Sequence, residues 1–340
     1  YHMRYPSEPI VHFVLMSALA ALEECGCIEV LKENTSGITA KKIAQRFSLN
    51  ESGVSALCDF VAINAPGLLE KKSNEYIPGK LLFNPAFQNN LYFFLSYKPI
   101  LSCLSQMLCR NVTYGEDIVR DAMYLQKSSS IHNASAYHAV MDSLKQLEFD
   151  TIVDIGCGRG DFLVKAYETF PDKKIMGIEI DERTVDIAAG VLSRNRALND
   201  ISIIRGDAAY PTEWVNKLGI QNASRCAIVG ITIWHEFLNQ QEMLPSILKR
   251  YRVCFPGSFF LMAEFNGISA DDFSRFPENF KGMASFYQLV HPLSNQGVPP
   301  PVSTWQAFFK DNGVSVVGVI PTKNNMTTYI GVLTPLGLSS

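Results

Sequence analysis

From residue 150 onward, seven short apolar segments punctuate the chain: DTIVDIG, KIMGIEID, ISIIRGD, CAIVGITIW, SFFLMAEF, VSVVGVI and TYIGVLT. Each is strand-sized, and stretches of helical character separate the earlier ones. Strands that alternate with helices build βαβ units around a largely parallel sheet, because a parallel neighbour needs a crossover. The last two segments are close together, which predicts an antiparallel pair at a sheet edge. The expected fold class is α/β with a seven-stranded sheet.

The first part of the chain has a different texture. Residues 10–33 carry apolar residues at mixed three- and four-residue spacing, which predicts one mostly buried helix. Thr39 is placed to cap a short helix to about Arg46, and Asn50 or Ser52 a second to about Ala62. LLEKKSNEYIPG reads as a small hairpin with a polar tip. Helix, turn, helix and hairpin make the pattern of a winged helix. Residues 90–147 read as helical again. The expected division is a mainly helical winged-helix-like domain over 1–110, a helical linker over 111–147 and the α/β domain over 148–340.

Composition excludes several function classes. At 47% hydrophobic and 19% charged residues, the 340-residue chain buries a sizeable core in about two domains. Its net charge of −3 gives no general attraction to nucleic acid or anionic lipid. The would-be recognition helix, NESGVSALCDFVA, has no Lys or Arg with which to meet DNA phosphates or bases. The apolar runs are too short and interrupted to span a membrane, and the start lacks an apolar signal core. Eight cysteines lie scattered without zinc-site spacing, as reduced thiols of a cytosolic protein do. The apolar density of residues 10–30 and 91–108 exceeds what a small domain needs for its own core, which predicts a homodimer.

The stretch VDIGCGRGDF carries the chemistry. A strand, a glycine-rich turn and a helix follow one another, so backbone can approach a ligand closely. Gly156, Gly158 and Gly160 give G-x-G-x-G, whereas a dinucleotide fingerprint needs its third glycine at 161. That position is Asp161, whose carboxylate repels a pyrophosphate. The expected ligand lacks phosphate and tolerates Asp154 nearby, and S-adenosylmethionine meets both conditions. Glu179 ends the second strand, where a carboxylate accepts ribose hydroxyls. Asp207 follows the third, where it accepts the adenine amino group. Their neighbours Ile180 and Ala208 complete the expected cofactor site.

Together these motifs resemble class I S-adenosylmethionine-dependent methyltransferases. Over roughly residues 10–335 the chain is similar to the two-domain small-molecule O-methyltransferases. The resemblance implies an N-terminal winged-helix dimerisation domain, a C-terminal Rossmann-like catalytic domain, a small-molecule acceptor and a role in specialised metabolism. It also implies a catalytic base after the fourth strand. Here that stretch reads WHEFLNQQEMLPSILKRY, so His235 takes the place of the base and Glu236 that of the family's Asp. Plant-type relatives flank the base with two glutamates, but QGVPPPVSTW and KNNMTTYIGV contain no carboxylate. A histidine in YQLVHPLSNQ, His291, instead resembles the α-keto acid C-methyltransferase branch. That branch implies a metal, iron or zinc, held by His235 and His291, with Glu236 or Glu264 completing or orienting the shell. Such a metal would chelate the keto acid and stabilise its enolate as a Lewis acid. O-methylation with His235 as general base is the alternative chemistry. A winged-helix protein that binds the cofactor without catalysis is the alternative class. Tyr114, Tyr137, Trp234 and Phe286 are candidate pocket aromatics, and Arg120, Arg159 and Lys281 candidate partners of a substrate carboxylate.

Overall fold

The computed structural model describes residues 7–195, 200–220, 222–240, 242–267, 278–322 and 325–337. The chain divides into two compact units, one reaching Ser96 and one starting at Tyr97. The boundary expected at 110 therefore falls inside the second unit.

In the first unit, the single helix expected over 10–33 is two, Glu8–Glu24 and Cys27–Glu33. Gly26 separates them at φ +75°, a left-handed conformation that ends a helix and suits glycine. Nor is the first helix buried along its length. Ala18, Leu19, Ala20 and Leu22 are covered, whereas Ile10 is 67% and Phe13 73% exposed. The caps are as expected at Thr39, whose Oγ1 accepts from Lys42 N at 3.3 Å and starts helix Ala40–Phe47. Of the two candidates for the next cap, Asn50 fills the role, accepting from Gly53 N at 2.9 Å ahead of helix Glu51–Asn64. Ser52 donates its hydroxyl to the same Asn50 oxygen. Strands β1 (Ile38–Thr39), β2 (Leu69–Lys72) and β3 (Glu75–Pro78) form an antiparallel sheet in the order β1-β3-β2. Two helices followed by a hairpin are the element order expected for a winged helix.

The second unit holds β4 (Thr151–Ile155), β5 (Lys174–Glu179), β6 (Ile201–Arg205), β7 (Cys226–Ile231), β8 (Phe259–Phe265), β9 (Val314–Pro321) and β10 (Met326–Leu333). They form one sheet in the order β6-β5-β4-β7-β8-β10-β9. The first five are parallel, and β10 runs antiparallel to both β8 and β9. The antiparallel pair is thus present, but β10 lies inside the sheet and β9 forms the edge. The sequence explains this: MTTYIGVL is almost wholly covered, while VSVVGVIP alternates between covered and open positions.

Successive residues of each central strand feed opposite cores. Ile152 joins Leu163, Val229 and Leu261 on one face, and Val153 joins Met176, Trp214 and Tyr251 on the other. Helices Ala122–His132 and Ala134–Leu144 precede β4. Tyr137, Val140 and Leu144 of the second sit in the Ile152 core, so the segment expected as a linker supplies core side chains. The chain steps outward from β4 to β6, returns, and continues on the other side through β7 and β8. This reversal opens a crevice at the strands' C-terminal ends, where ligands bind in such sheets.

Candidate active site

The expected cofactor residues lie along that edge. Gly156, Gly158 and Gly160 all adopt positive φ, +68°, +53° and +80°. Gly156 N and Cys157 N donate to Ile178 O at 2.8 and 3.0 Å, which ties the turn to β5. The glycines serve different needs. A Cβ on Gly156 would lie 2.5 Å from Ile233 Cδ1, so that position is small for packing. A Cβ on Gly158 would meet nothing within 4 Å, so the space above it is open.

Glu179 closes β5 and folds back over the turn. Its Oε2 accepts from Gly158 N at 3.0 Å, and its Oε1 from Ile180 N at 2.9 Å and Asp181 N at 3.1 Å. Burial pushes its pKa up, and the three backbone donors work against that rise. Oε2 retains a lone pair for a further donor. Ile180 is 60% exposed and presents an apolar side chain at the same rim. Asp207 follows β6, and its Oδ1 accepts from Ala209 N at 2.8 Å. Ala208 is instead drawn into the core, its carbonyl accepting from the Tyr251 hydroxyl at 2.9 Å. Asp154 is 3% exposed within β4. Burial, and then the Glu179 charge, hold its carboxyl well above the usual carboxylate range.

His235 lies one strand further along. After β7, Thr232 turns the chain at φ +57°, an outlier for a β-branched residue, and its N–H donates to Ala263 O at 2.8 Å. The short helix Trp234–Asn239 follows. Glu264, fully buried on β8, anchors this helix. Its Oε1 accepts from Trp234 N at 2.7 Å and His235 N at 3.3 Å, and its Oε2 lies 2.7 Å from His235 Nδ1. The carboxylate holds the proton on Nδ1 and leaves the Nε2 lone pair free in the neutral ring. Burial lowers the His235 pKa, but the attraction and hydrogen bond of Glu264 outweigh it, and the net shift is upward.

His291, near the end of helix Glu278–Leu293, meets His235 face to face. The rings are within 7° of parallel with centroids 5.3 Å apart. The loop after that helix is fastened to the His235 helix: Asn239 Nδ2 donates to Asn295 O at 2.6 Å and Gly297 N to Glu236 O at 3.4 Å. Gly297 O lies 2.9 Å from His291 Nδ1, which fixes the proton there and again leaves Nε2 bare. Burial, and then the His235 charge, push the His291 pKa down to about 3. Tyr287, one helical turn earlier, sets its ring edge-on at 4.4 Å.

Glu236 points elsewhere. Its Oε1 is 3.2 Å from Arg120 Nη1, and Arg120 also donates to Tyr114 OH at 3.2 Å and Tyr97 OH at 3.4 Å. The Tyr97 ring lies 6.2 Å from His291, so this guanidinium borders the histidine pair. Two expected pocket aromatics are core residues. Tyr137 packs edge-on against Phe162, and Trp234 edge-on against Tyr251 and at a tilt against Phe260. Both are covered because their helices present them inward. Phe286 meets Tyr97 edge-on at 5.7 Å. Of the two carboxylates expected to complete or orient a metal shell, Glu264 bonds the Nδ1 of His235, the position of an orienting group, and Glu236 pairs with Arg120. The described residues contain no group of three or more His, Cys, Asp or Glu placed to hold an ion. Tyr287 was missed although its four-residue spacing from His291 puts both on one helix face. No local pattern signals Tyr97 or Thr232.

Residues 149–223 match the model of a family described as putative methyltransferase. A tRNA (guanine-N(7)-)-methyltransferase of Aedes aegypti is 39% identical over 79 residues, 22% of this chain and 31% of that protein. A protein-lysine N-methyltransferase of Saccharolobus islandicus is 28% identical over 68 residues, 20% of this chain and 42% of that one. The chain thus spans less than half the length of these curated relatives. Solved structures extend the likeness to both units. Human N-acetylserotonin methyltransferase in complex with S-adenosylmethionine superposes with a TM-score of 0.71 at 15% identity, covering 98% of this chain and 99% of that one. An O-methyltransferase family protein from Burkholderia thailandensis gives 0.68 at 14%, covering 96% of each. The fold is that of the two-domain O-methyltransferases, and the second unit is Rossmann-like.

Proposed function

We propose that the protein transfers the methyl group of S-adenosylmethionine to a small-molecule acceptor, with His235 as the base and Glu264 as the group that aims it. The carrying observation is the buried His235–Glu264 pair beside the glycine turn and in line with Glu179 and Asp207. Strands β6, β5, β4 and β7 step roughly 14 Å in all at ~4.8 Å each, enough for an adenosyl group and the sulfur beyond it. Methyl transfer is an in-line displacement at a sulfonium carbon. The chain's part is to align the acceptor and to take its proton. The residues fit that cofactor: Glu179 keeps a lone pair for a ribose hydroxyl, Ile180 offers an apolar rim, and the space over Gly158 is open. Gly158→Val fills that space with a branched side chain at a left-handed position. Calorimetric titration should find S-adenosylmethionine affinity lost in this variant and present in the parent. Unchanged affinity would place the cofactor elsewhere.

Arg120, charged and with its side chain 16% exposed, favours an acceptor that carries a carboxylate. The match to a tRNA methyltransferase covers a small share of the chain, and the net charge of −3 is unsuited to a polyanion.

A second reading rests on the stacked histidines. Each has its Nδ1 engaged by an oxygen and its Nε2 free, which is how imidazole ligands are held on metals. Iron or zinc would then rest on His235 and His291 alone and act as a Lewis acid toward a chelated α-keto acid, for methylation at carbon. Metal analysis of the purified protein separates the readings. Near-stoichiometric metal that His291→Ala loses, together with turnover stopped by chelator, supports this one. Activity that survives EDTA leaves His235 as a plain general base.

We also propose a homodimer, built on the open face of helix Glu8–Glu24. Ile10, Phe13 and Val14 form a three- and four-spaced apolar stripe on it, 67%, 73% and 38% exposed. In the other stretch expected at the interface, 91–108, Leu91, Phe93, Leu95 and Ile100 are buried within the chain, whereas helix Leu104–Leu108 has no buried residue and its Leu108 is 78% exposed. Light scattering at micromolar concentration should give twice the chain mass, and Phe13→Glu should halve it. A monomeric parent protein rejects the interface. All eight cysteines are unpaired, which fits a reducing, cytosolic compartment. Among the described residues no helix is long and apolar enough to cross a membrane.

A further inference from the structure

Asn133 sits between helices Ala122–His132 and Ala134–Leu144 and is 5% exposed. Its Nδ2 donates to Thr232 Oγ1 at 3.1 Å. Thr232 Oγ1 already gives its own proton to Ile231 O at 2.8 Å, so toward Asn133 it can only accept. The carboxamide orientation is therefore fixed, with the amide nitrogen on Thr232 and Oδ1 turned away from it. That Oδ1 is buried and has no hydrogen-bond partner among the described residues. A buried, unpaired acceptor is costly unless something donates to it.

Its surroundings say what the donor is. Thr232 and Ile233 flank the glycine turn, since Ile233 Cδ1 is what a side chain on Gly156 would strike. Asn133 thus belongs to the seam between the C-terminal ends of β4 and β7. Given the cofactor reading above, on which this inference rests, the adenosine lies over β5 and β6 and the reacting methyl faces His235. The sulfur then lies over the same seam, and the amino-acid arm branches from it there. That arm ends in an ammonium group rich in N–H and a carboxylate. The ammonium has only N–H donors and needs acceptors, which the N–H groups of the turn are not; those of Gly156 and Cys157 are already tied to Ile178 O and that of Gly160 to Cys157 O. From this we infer that Asn133 Oδ1 accepts a hydrogen bond from the ammonium group of the cofactor's amino-acid arm, with Thr232, held in its left-handed conformation, as the group that orients the amide.

The test compares two neutral thioethers by calorimetric titration of the full-length protein. S-adenosylhomocysteine carries the amino-acid arm, and 5′-methylthioadenosine has the same nucleoside without it. The parent should bind the first more tightly. Asn133→Leu should weaken S-adenosylhomocysteine by about 10- to 100-fold, the range of a hydrogen bond to a charged group, and leave 5′-methylthioadenosine within about twofold. Asn133→Asp keeps an acceptor oxygen and should recover most of the loss. Intact binding of the arm-less probe shows that the variant has folded. An equal loss for both probes, no loss for either, or a parent that does not prefer the longer ligand overturns the role of Asn133. If the parent binds neither probe, the cofactor reading itself fails and takes this inference with it.

Discussion

Replacing His235 by alanine should lower turnover by about 10²-fold or more while leaving S-adenosylmethionine affinity within a few-fold of the parent. The loss is the usual scale for removing a positioned base. The cofactor is spared because its expected partners, Glu179, Ile180 and Asp207, come from the ends of β5 and β6, whereas His235 follows β7. Steady-state rates paired with calorimetric titration check both halves. Retention of more than a tenth of the rate would end the base role, and a matching loss of affinity would make His235 a binding residue instead. Glu264→Gln separates aim from charge. It keeps an oxygen for the backbone donors of Trp234 and His235 but no longer fixes the proton on Nδ1. It should therefore lower the rate and shift the acid limb of the rate profile downward, because the carboxylate is what raises the His235 pKa.

The second large effect is on stability in acid. The folded value of His291, about 3, lies below its ordinary value of 6.5. Between those limits the unfolded chain binds a proton that the folded chain does not. The contribution of this residue is therefore complete above pH 6.5 and falls as pH drops, by up to about 1.4 kcal/mol per pH unit. From pH 6.5 to 5 the loss should approach 2 kcal/mol. His235 has the opposite sign. Its folded pKa is raised, so its pairing with Glu264 contributes in full below 6.5 and fades as pH climbs through the raised value. Denaturant unfolding of chelator-treated protein at pH 6.5 and 5 measures the first effect. His291→Phe keeps a buried aromatic ring without the titration and should flatten this limb. If parent and variant lose stability equally over that interval, His291 is not the residue responsible.

Much of the second unit was legible because its information is local. Each strand announces itself as an apolar run, and the glycine turn after β4 fixes where the sheet's crevice begins. Thr39 and Asn50 were legible as caps for the same reason, a short side chain three residues from the N–H it accepts. The break at Gly26 was not, since the apolar spacing of residues 10–33 continues through it and periodicity does not record one positive φ. The exposed stripe on helix Glu8–Glu24 looked buried for a related reason, because apolar spacing names a face and not what covers it. His235 could be read, but the acid that serves it could not be singled out. Glu264 is 29 residues away on the adjacent strand and reaches His235 only through parallel pairing of β7 with β8. The Arg120–Glu236 pair spans 116 residues. Glu236 follows the histidine directly and so reads as its partner, yet adjacent residues do not face each other on a short helix.

The position of β10 has a consequence for how the proposed site is assembled. In the sheet register Thr327 stands opposite Glu264, so this strand walls the acid that aims the base. Yet among the described residues β10 is the last strand of the sheet, and translation delivers it after every side chain of the proposed site. A nascent chain lacking these residues owns His235, Glu264 and His291 but leaves one side of β8 as an open row of backbone donors and acceptors. Such a row is sticky toward other strands. The proposed site is therefore enclosed only when a strand that contributes no reactive group closes against β8, and a chain released before that strand would be aggregation-prone.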